Sequence, residues 1–155
     1  MGGYLSGRHG CRMVVESCLT LNVYELQKGQ YRNTLTGKIF WRRLSTGEEL
    51  AAIEFSRDGR PDQITISYNA VVNGTTIPIQ EGLGITKTRT NFAGSRYWWL
   101  CPGCQRRCGV LYIPPGTYRF RCRKCYNLTY RSSNLSRNDA STFRRLMAQY
   151  PNELL

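Results

Sequence analysis

A chain of 155 residues that is 41% hydrophobic can bury one modest core, and no stretch approaches the roughly 18 consecutive apolar residues of a membrane-spanning helix. The opening residues MGGYLSGRHG have no apolar run behind a basic start, so they do not predict a secretory signal; we expect a cytoplasmic protein with no membrane partner. The net charge of +12 indicates a polyanionic partner.

The positive charge is concentrated in the second half of the chain. Residues 1–81 carry nine Lys or Arg against eight Asp or Glu, whereas residues 82–138 carry eleven Lys or Arg and no acidic residue. Any surface that binds a polyanion is therefore expected in the second half.

Residues 1–15 are rich in glycine and basic residues without apolar periodicity. They predict a flexible basic arm, with an ordinary frayed terminus as an equal alternative. Residues 16–95 predict an antiparallel β domain that begins with a short helix near 23–28. Asn22 can cap this helix and Glu25 follows three residues later.

From residue 38 onward, apolar and polar residues alternate as in strands with one buried face. The clearest segment, Ile64–Val72, is followed by Asn73-Gly74, a pair typical of a two-residue hairpin turn. Pro78 indicates an edge position. The predicted strands are 38–44, 49–55, 64–72, 75–80 and 83–90, which together form an antiparallel β-meander.

Four of the seven cysteines form two C-x-x-C pairs separated by seventeen residues: Cys101, Cys104, Cys122 and Cys125. This spacing is typical of a structural zinc site. Pro102 and Gly103 suit the tight turn of the first pair, one by fixing φ and the other by tolerating unusual φ values. Residues 96–131 therefore predict a zinc ribbon that holds one structural Zn²⁺. Iron is the competing metal, and disulfides are a further alternative.

The segment between the two pairs predicts a β-hairpin, with strands at Val110–Ile113 and Thr117–Arg121 around a Pro-Pro-Gly turn. Four thiolates fill a tetrahedral shell and leave no open position for substrate, which indicates a structural role. Cys108 is an alternative ligand to Cys104. Beyond the ribbon, residues 138–150 predict a C-terminal helix.

Alternation along the second half of this hairpin places Arg119, Arg121 and Arg123 on one face. A row of arginines can neutralise successive phosphates and can stack on bases. The predicted nucleic-acid-binding residues are Arg106, Arg107, Arg119, Arg121, Arg123, Lys124 and Arg131. DNA is favoured over RNA.

Other interpretations of this basic segment remain open. The cations can offset the negative charge of a zinc ion with four thiolates, form a solvated face, or bind an acidic protein. Among the aromatic residues, Phe120 and one of the pair Trp98 and Trp99 are expected in the core. Phe92, Tyr97 and one of these tryptophans are expected at the seam between the β domain and the ribbon.

Catalysis finds little support in the sequence. The single histidine, His9, lies in the glycine-rich arm, and none of the hydrolase or metalloprotease motifs is present. Carboxylates are absent where the positive charge is concentrated. The protein is therefore expected not to be an enzyme.

Several segments resemble a set of uncharacterised bacterial proteins of phages and mobile elements: the start MGGYLSGRHG, ESCLTL at 16–21, NFAGSRYWWLCPGC at 91–104 and CRKCYNLTY at 122–130. The resemblance implies a zinc-ribbon protein acting in a bacterial host cell. The expected fold is mostly β: an N-terminal antiparallel β-meander, a C-terminal zinc ribbon and a short terminal helix. The expected function is a nucleic-acid-binding accessory or regulatory protein. The alternative is an interaction module that docks on a host complex such as RNA polymerase or defence machinery.

Overall fold

A computed structural model describes residues 12–27, 34–43, 45–57, 60, 62–72, 74–91 and 93–134. The protein is mostly β with antiparallel sheets, as predicted. Its elements are a 3-10 turn (Val15–Ser17), β1 (Leu19–Asn22), α1 (Val23–Gln27), β2 (Thr36–Arg42), β3 (Glu49–Ser56), β4 (Gln63–Val72), β5 (Thr75–Arg89), β6 (Ser95–Leu100), β7 (Arg107–Cys108), β8 (Val110–Ile113) and α2 (Arg131–Asn134). The predicted C-terminal helix over 138–150 and residues 1–11 of the predicted arm lie outside the described residues. No helix in the described ranges is long and apolar enough to cross a membrane.

The main sheet has six strands in the order β2-β3-β4-β5-β6-β7, so each strand pairs with its neighbour in sequence. This is the predicted meander. The hairpin between β4 and β5 pairs Val72 with Thr75, and Gly74 has a φ of +77°, which suits glycine. Ile64 and Ile66 are buried on one face of β4, as the alternation predicts.

Strand β5 differs from the prediction, because the expected strands 75–80 and 83–90 are one continuous strand of 15 residues. It pairs with β4 as far as Gly84 and with β6 from Gly84 onward. A side chain at Gly84 would lie 3.2 Å from Leu100, so this glycine permits close packing rather than ending the strand. Pro78 lies in the part of β5 that has β4 as its sole described neighbour, which confirms the edge position.

The N-terminal segment packs on residues 110–129. Strand β1 pairs with β8, and the backbone N–H of Val15 donates to the carbonyl of Thr129 at 2.9 Å. Val15 is buried with Tyr112 and Leu128 in a small apolar cluster. Residues 12–15 were predicted to belong to the flexible arm, but Val14 and Val15 pair with Thr129 and Val15 has apolar partners.

Helix α1 confirms the predicted short helix near 23–28. The side-chain oxygen of Asn22 accepts a hydrogen bond from the backbone N–H of Tyr24 at 3.0 Å, as expected of a cap. At the other end, Arg57 donates to the carbonyl of Leu26 at 2.9 Å. Both ends of the helix therefore have polar partners.

The main sheet and the segment that carries the two cysteine pairs share one core. Fully buried side chains of this core include Trp99 and Phe120. The indole N–H of Trp99 donates to the carbonyl of Leu21 at 3.0 Å, and the Tyr68 hydroxyl donates to the carbonyl of Tyr118 at 2.7 Å. The prediction that Phe120 and one tryptophan are core residues is confirmed, while Phe92 lies outside the described residues.

Candidate metal centre and basic cleft

The first cysteine pair lies in the turn between β6 and β7. The backbone N–H of Cys101 donates to the carbonyl of Arg106 at 3.0 Å, and that of Gln105 donates to the carbonyl of Cys101 at 2.8 Å. Gln105 closes the turn with a φ of +57°. These bonds curl the backbone so that both thiols of the pair face the same point.

The second pair lies in a turn that follows no strand. The predicted strand Thr117–Arg121 is absent, and Arg121 forms only an isolated bridge with Tyr112. Two successive prolines lack N–H donors, and Gly116 has a φ of +77°, so the chain cannot continue the ladder from β8. Even so, alternation persists in burial: Phe120 and Cys122 are buried between exposed arginines.

The four predicted ligands Cys101, Cys104, Cys122 and Cys125 come together, with all four sulfurs within 4.8 Å of one another. The Sγ atoms of Cys101 and Cys125 are 3.7 Å apart, as are those of Cys104 and Cys122. Four sulfurs bound tetrahedrally at about 2.3 Å from one ion would be about 3.8 Å apart. The site can therefore hold one metal ion, and none of the four cysteines is in a disulfide.

The local environment shifts the pKa values of the thiols in opposite directions, lowering that of Cys104 and raising those of Cys122 and Cys125. The backbone N–H of Arg106 lowers the pKa of Cys104 to about 7, so this thiol ionises easily. Burial raises the pKa of Cys122, whose own backbone N–H donates to the sulfur of Cys101 at 3.2 Å. A metal ion must displace the protons of the thiols, so we expect metal binding to release protons.

Cys108 does not replace Cys104 in this cluster. Its thiol points to the carbonyl of Trp99 at 3.8 Å, and burial raises its pKa to about 12. The predicted choice of Cys104 is thus the one that the geometry supports.

Gly103 is required for a different reason from the one the sequence suggested. It does not have a positive φ. Instead, an added Cβ would lie 3.3 Å from the sulfur of Cys125 and 3.2 Å from the guanidinium of Arg121. The absence of a side chain lets the two cysteine turns approach each other.

Four of the seven predicted nucleic-acid-binding residues line one cleft beside the metal site. This basic cleft has a volume of about 340 Å³. Its cations are Arg106, Arg107, Arg123 and Lys124, and Tyr112 and Tyr130 add aromatic rings. The guanidinium of Arg123 lies 5.2 Å from the ring centre of Tyr130, within the range of a cation–π contact.

The other three predicted residues are placed elsewhere. Arg119 forms an ion pair with Glu81 of β5. The side chain of Arg121 packs against the backbone of Gly103. Arg131 is the first residue of α2, and its backbone N–H donates to the carboxylate of Glu16. None of them is among the residues that line the basic cleft. The predicted row of arginines is therefore divided among three environments.

A second concavity was not predicted. This aromatic groove has a volume of about 810 Å³ and lies between α1 and β6. Tyr24, Arg96, Tyr97 and Trp98 line it. The sequence carried a partial signal in the aromatic run at 97–99, but the contribution of α1 depends on a long-range contact.

No family model, curated protein or solved structure matches this chain.

Proposed function

We propose that this chain is a zinc-ribbon protein that binds nucleic acid as an accessory or regulatory factor of a phage or mobile element. Zinc would hold the two cysteine turns together, and the basic cleft would bind phosphates of the nucleic acid. The basic cleft is the observation that carries this proposal, because it gathers cations from both cysteine turns on one concave surface.

Zinc is the metal that the ligand set favours. Four thiolates within 4.8 Å of one another, with two of the sulfur pairs 3.7 Å apart, suit a closed tetrahedral shell, and Zn²⁺ accepts that shell without a redox role. Iron takes the same ligands and is the competing ion. Elemental analysis of the purified protein separates the two metals: one zinc per chain supports the proposal, and a coloured protein with one iron per chain contradicts this part of it.

The charge of the cleft supports phosphate as the ligand. No acidic residue occurs between positions 82 and 138, and no described residue forms an ion pair with any of its four cations. The zinc site would offset part of this charge, since its four thiolates leave it net negative. The four positive charges around the cleft still exceed the two negative charges of a zinc ion with four thiolates. Arginine binds phosphates well, so phosphate is the favoured ligand.

Salt dependence of binding tests this proposal directly. Labelled DNA and RNA oligonucleotides are titrated with the protein by fluorescence anisotropy at several salt concentrations. Neutralised phosphates predict an affinity that falls linearly with salt on a log–log scale, with a slope near −0.9 per contact on duplex DNA. DNA is expected to bind more tightly than RNA.

A charge-matched pair of variants locates the surface. The double variant Arg106→Gln/Arg123→Gln removes two charges from the cleft, and Arg42→Gln/Arg60→Gln removes two exposed charges from the nearly neutral half. The first should lower affinity at least about tenfold, as expected for two lost phosphate contacts, and the second should change it little. Equal losses would show that net charge acts without a site. No binding at low salt would reject the proposal and favour the docking alternative.

A further inference from the structure

The aromatic groove and the basic cleft are adjoining surfaces. Gly109 and Val110 line both of them, so these two residues form the saddle between the concavities. A linear polymer that lies in the cleft would therefore reach the groove by crossing the saddle. This relationship connects a surface rich in cations with one rich in aromatic rings.

We infer that the nucleic acid bound by this protein is single-stranded, and that the aromatic groove takes one or more of its unpaired bases. This inference rests on the proposed function. Phosphates would lie in the basic cleft, and the strand would pass over Gly109 and Val110 into the groove.

The shape and lining of the groove fit a nucleobase. Its volume of about 810 Å³ lies within the range of small-molecule sites. Tyr97 is 37% exposed and Tyr24 is 56% exposed, so both tyrosines contribute accessible surface to the groove. Gln27 also lines the groove and offers an amide group, and Asn22 offers the NH₂ of its amide because its oxygen caps α1; these groups can pair with base edges.

The charges around the groove also favour a polyanion. The guanidinium of Arg96 lies 4.7 Å from the ring centre of Trp98 and extends the stacking surface with a cation. In the β5–β6 pairing, Lys87 lies opposite Tyr97 and Arg89 lies opposite Ser95, and both cations are exposed. None of the described lining residues is acidic.

Stacking on these rings selects an unpaired base. In a duplex each base is already stacked between its neighbours, and its flat face is not available to a protein side chain. Aromatic side chains in a basic groove are how proteins hold single strands with little sequence preference. A duplex could contact the basic cleft but could not fill the groove.

Three oligonucleotides of one sequence test this inference: single-stranded DNA, duplex DNA and single-stranded RNA. We expect at least one single strand to bind more tightly than the duplex at equal salt. A 2-aminopurine in the strand should lose fluorescence on binding, because stacking on a ring quenches it. The tighter of the two single strands identifies the preferred sugar.

Ring-removal variants assign the binding to the groove. The variant Tyr24→Leu/Tyr97→Leu should weaken single-strand binding at least about fivefold, the lower end expected for one lost stack, and leave duplex binding unchanged. The control Tyr118→Leu removes a ring with a similar exposure of 38% outside both concavities. It should change neither affinity.

A second variant tests the path of the strand without removing a ring. An added Cβ at Gly109 would meet no atom within 4 Å, so a side chain can begin there without a clash, and Gly109→Leu places that side chain on the saddle. Metal content and circular dichroism of the variant check that it has folded. The variant should reduce single-strand binding more than duplex binding. If the protein binds duplex as tightly as single strands, or if the tyrosine variant keeps its single-strand affinity, the inference is overturned while the proposed function stands. Failure to bind any nucleic acid would instead remove the proposed function.

Discussion

Glu81 of β5 and Arg119 of the ribbon form an ion pair of 3.8 Å that links the main sheet to the segment between the cysteine pairs. The Glu81 side chain is only 11% exposed, and within the described residues its buried Oε2 atom has no hydrogen-bond partner. Burial outweighs the nearby guanidinium and raises the pKa of Glu81 above its usual value. Arg119 is thus paired with a carboxylate of the main sheet, which distinguishes it from the cations of the basic cleft.

The raised pKa of Glu81 predicts a dependence of stability on pH. The native state holds the Glu81 proton more tightly than the unfolded chain does. The resulting stabilisation is present at low pH and is lost as pH rises through the native pKa. Glu81→Gln should remove this loss, so the variant should be more stable than the wild-type protein near pH 7. The difference in stability between the two proteins should shrink as the pH is lowered. Urea unfolding at several pH values measures the difference.

The matched control is Glu54→Gln. Glu54 forms an ion pair with Lys38 at 2.8 Å, but its side chain is 62% exposed. Loss of this pair should change stability little, because solvent screens exposed ion pairs. If Glu81→Gln is less stable than the wild-type protein at neutral pH, burial does not dominate at this site.

Metal removal should destabilise the whole protein. Cys101 and Cys122 belong to the same core as Trp99 and Phe120, so the sulfurs and the main sheet cannot separate without exposing apolar surface. Structural zinc contributes roughly 10–16 kcal/mol of apparent binding energy in small domains. A strong chelator should therefore lower the free energy of unfolding by several kcal/mol, as followed by circular dichroism.

Cysteine variants show whether the effect belongs to the cluster. Cys104→Ser should lose the metal and the associated stability, because it removes one of four ligands. Cys108→Ser changes a thiol in the same loop that points to the carbonyl of Trp99 instead. It should keep one metal ion per chain, and a metal-free Cys108→Ser protein would contradict the ligand assignment.

Local signals in the sequence were sufficient for the strands and the ligands. Period-two alternation predicted β4, Asn-Gly predicted the hairpin before β5, and C-x-x-C spacing predicted the four cysteines that meet. Each of these features depends on residues close together in the chain, where propensity and turn geometry act directly.

Long-range relationships were the part that the sequence could not supply. The pairing of β1 with β8 joins Leu19 to Ile113, and no periodicity in either segment identifies its partner. Alternation predicted that Arg119 and Arg121 lie on one face. It could not show that Arg119 forms an ion pair with Glu81 of β5, because the two residues lie 38 positions apart in the sequence. The aromatic groove depends in the same way on contact between α1 and β6.

Gly103→Ala should weaken metal binding. The new methyl group would lie 3.3 Å from the sulfur of Cys125, so it would push the two cysteine turns apart. Gly109→Ala is the matched control, since its methyl group would meet no atom within 4 Å. We expect a loss of metal affinity of about tenfold or more for the first, as for other changes next to metal ligands, and none for the second. Competition with a chromophoric chelator measures both affinities.

Backbone strain at the two cysteine turns predicts that Gln105→Gly stabilises the protein more than Asn127→Gly does. Gln105 has a φ of +57° and Asn127 a φ of +50°. The left-handed region costs an ordinary residue such as glutamine roughly 1–2 kcal/mol, whereas asparagine adopts it readily. Glycine removes that cost but loses more entropy on folding, by roughly 0.5–1 kcal/mol. Gln105→Gly should therefore gain about 0.5 kcal/mol in the metal-loaded protein, and Asn127→Gly should gain nothing or lose stability. Urea unfolding of both variants measures this order, and an equal or larger gain for Asn127→Gly would show that strain at Gln105 is already relieved by its neighbours.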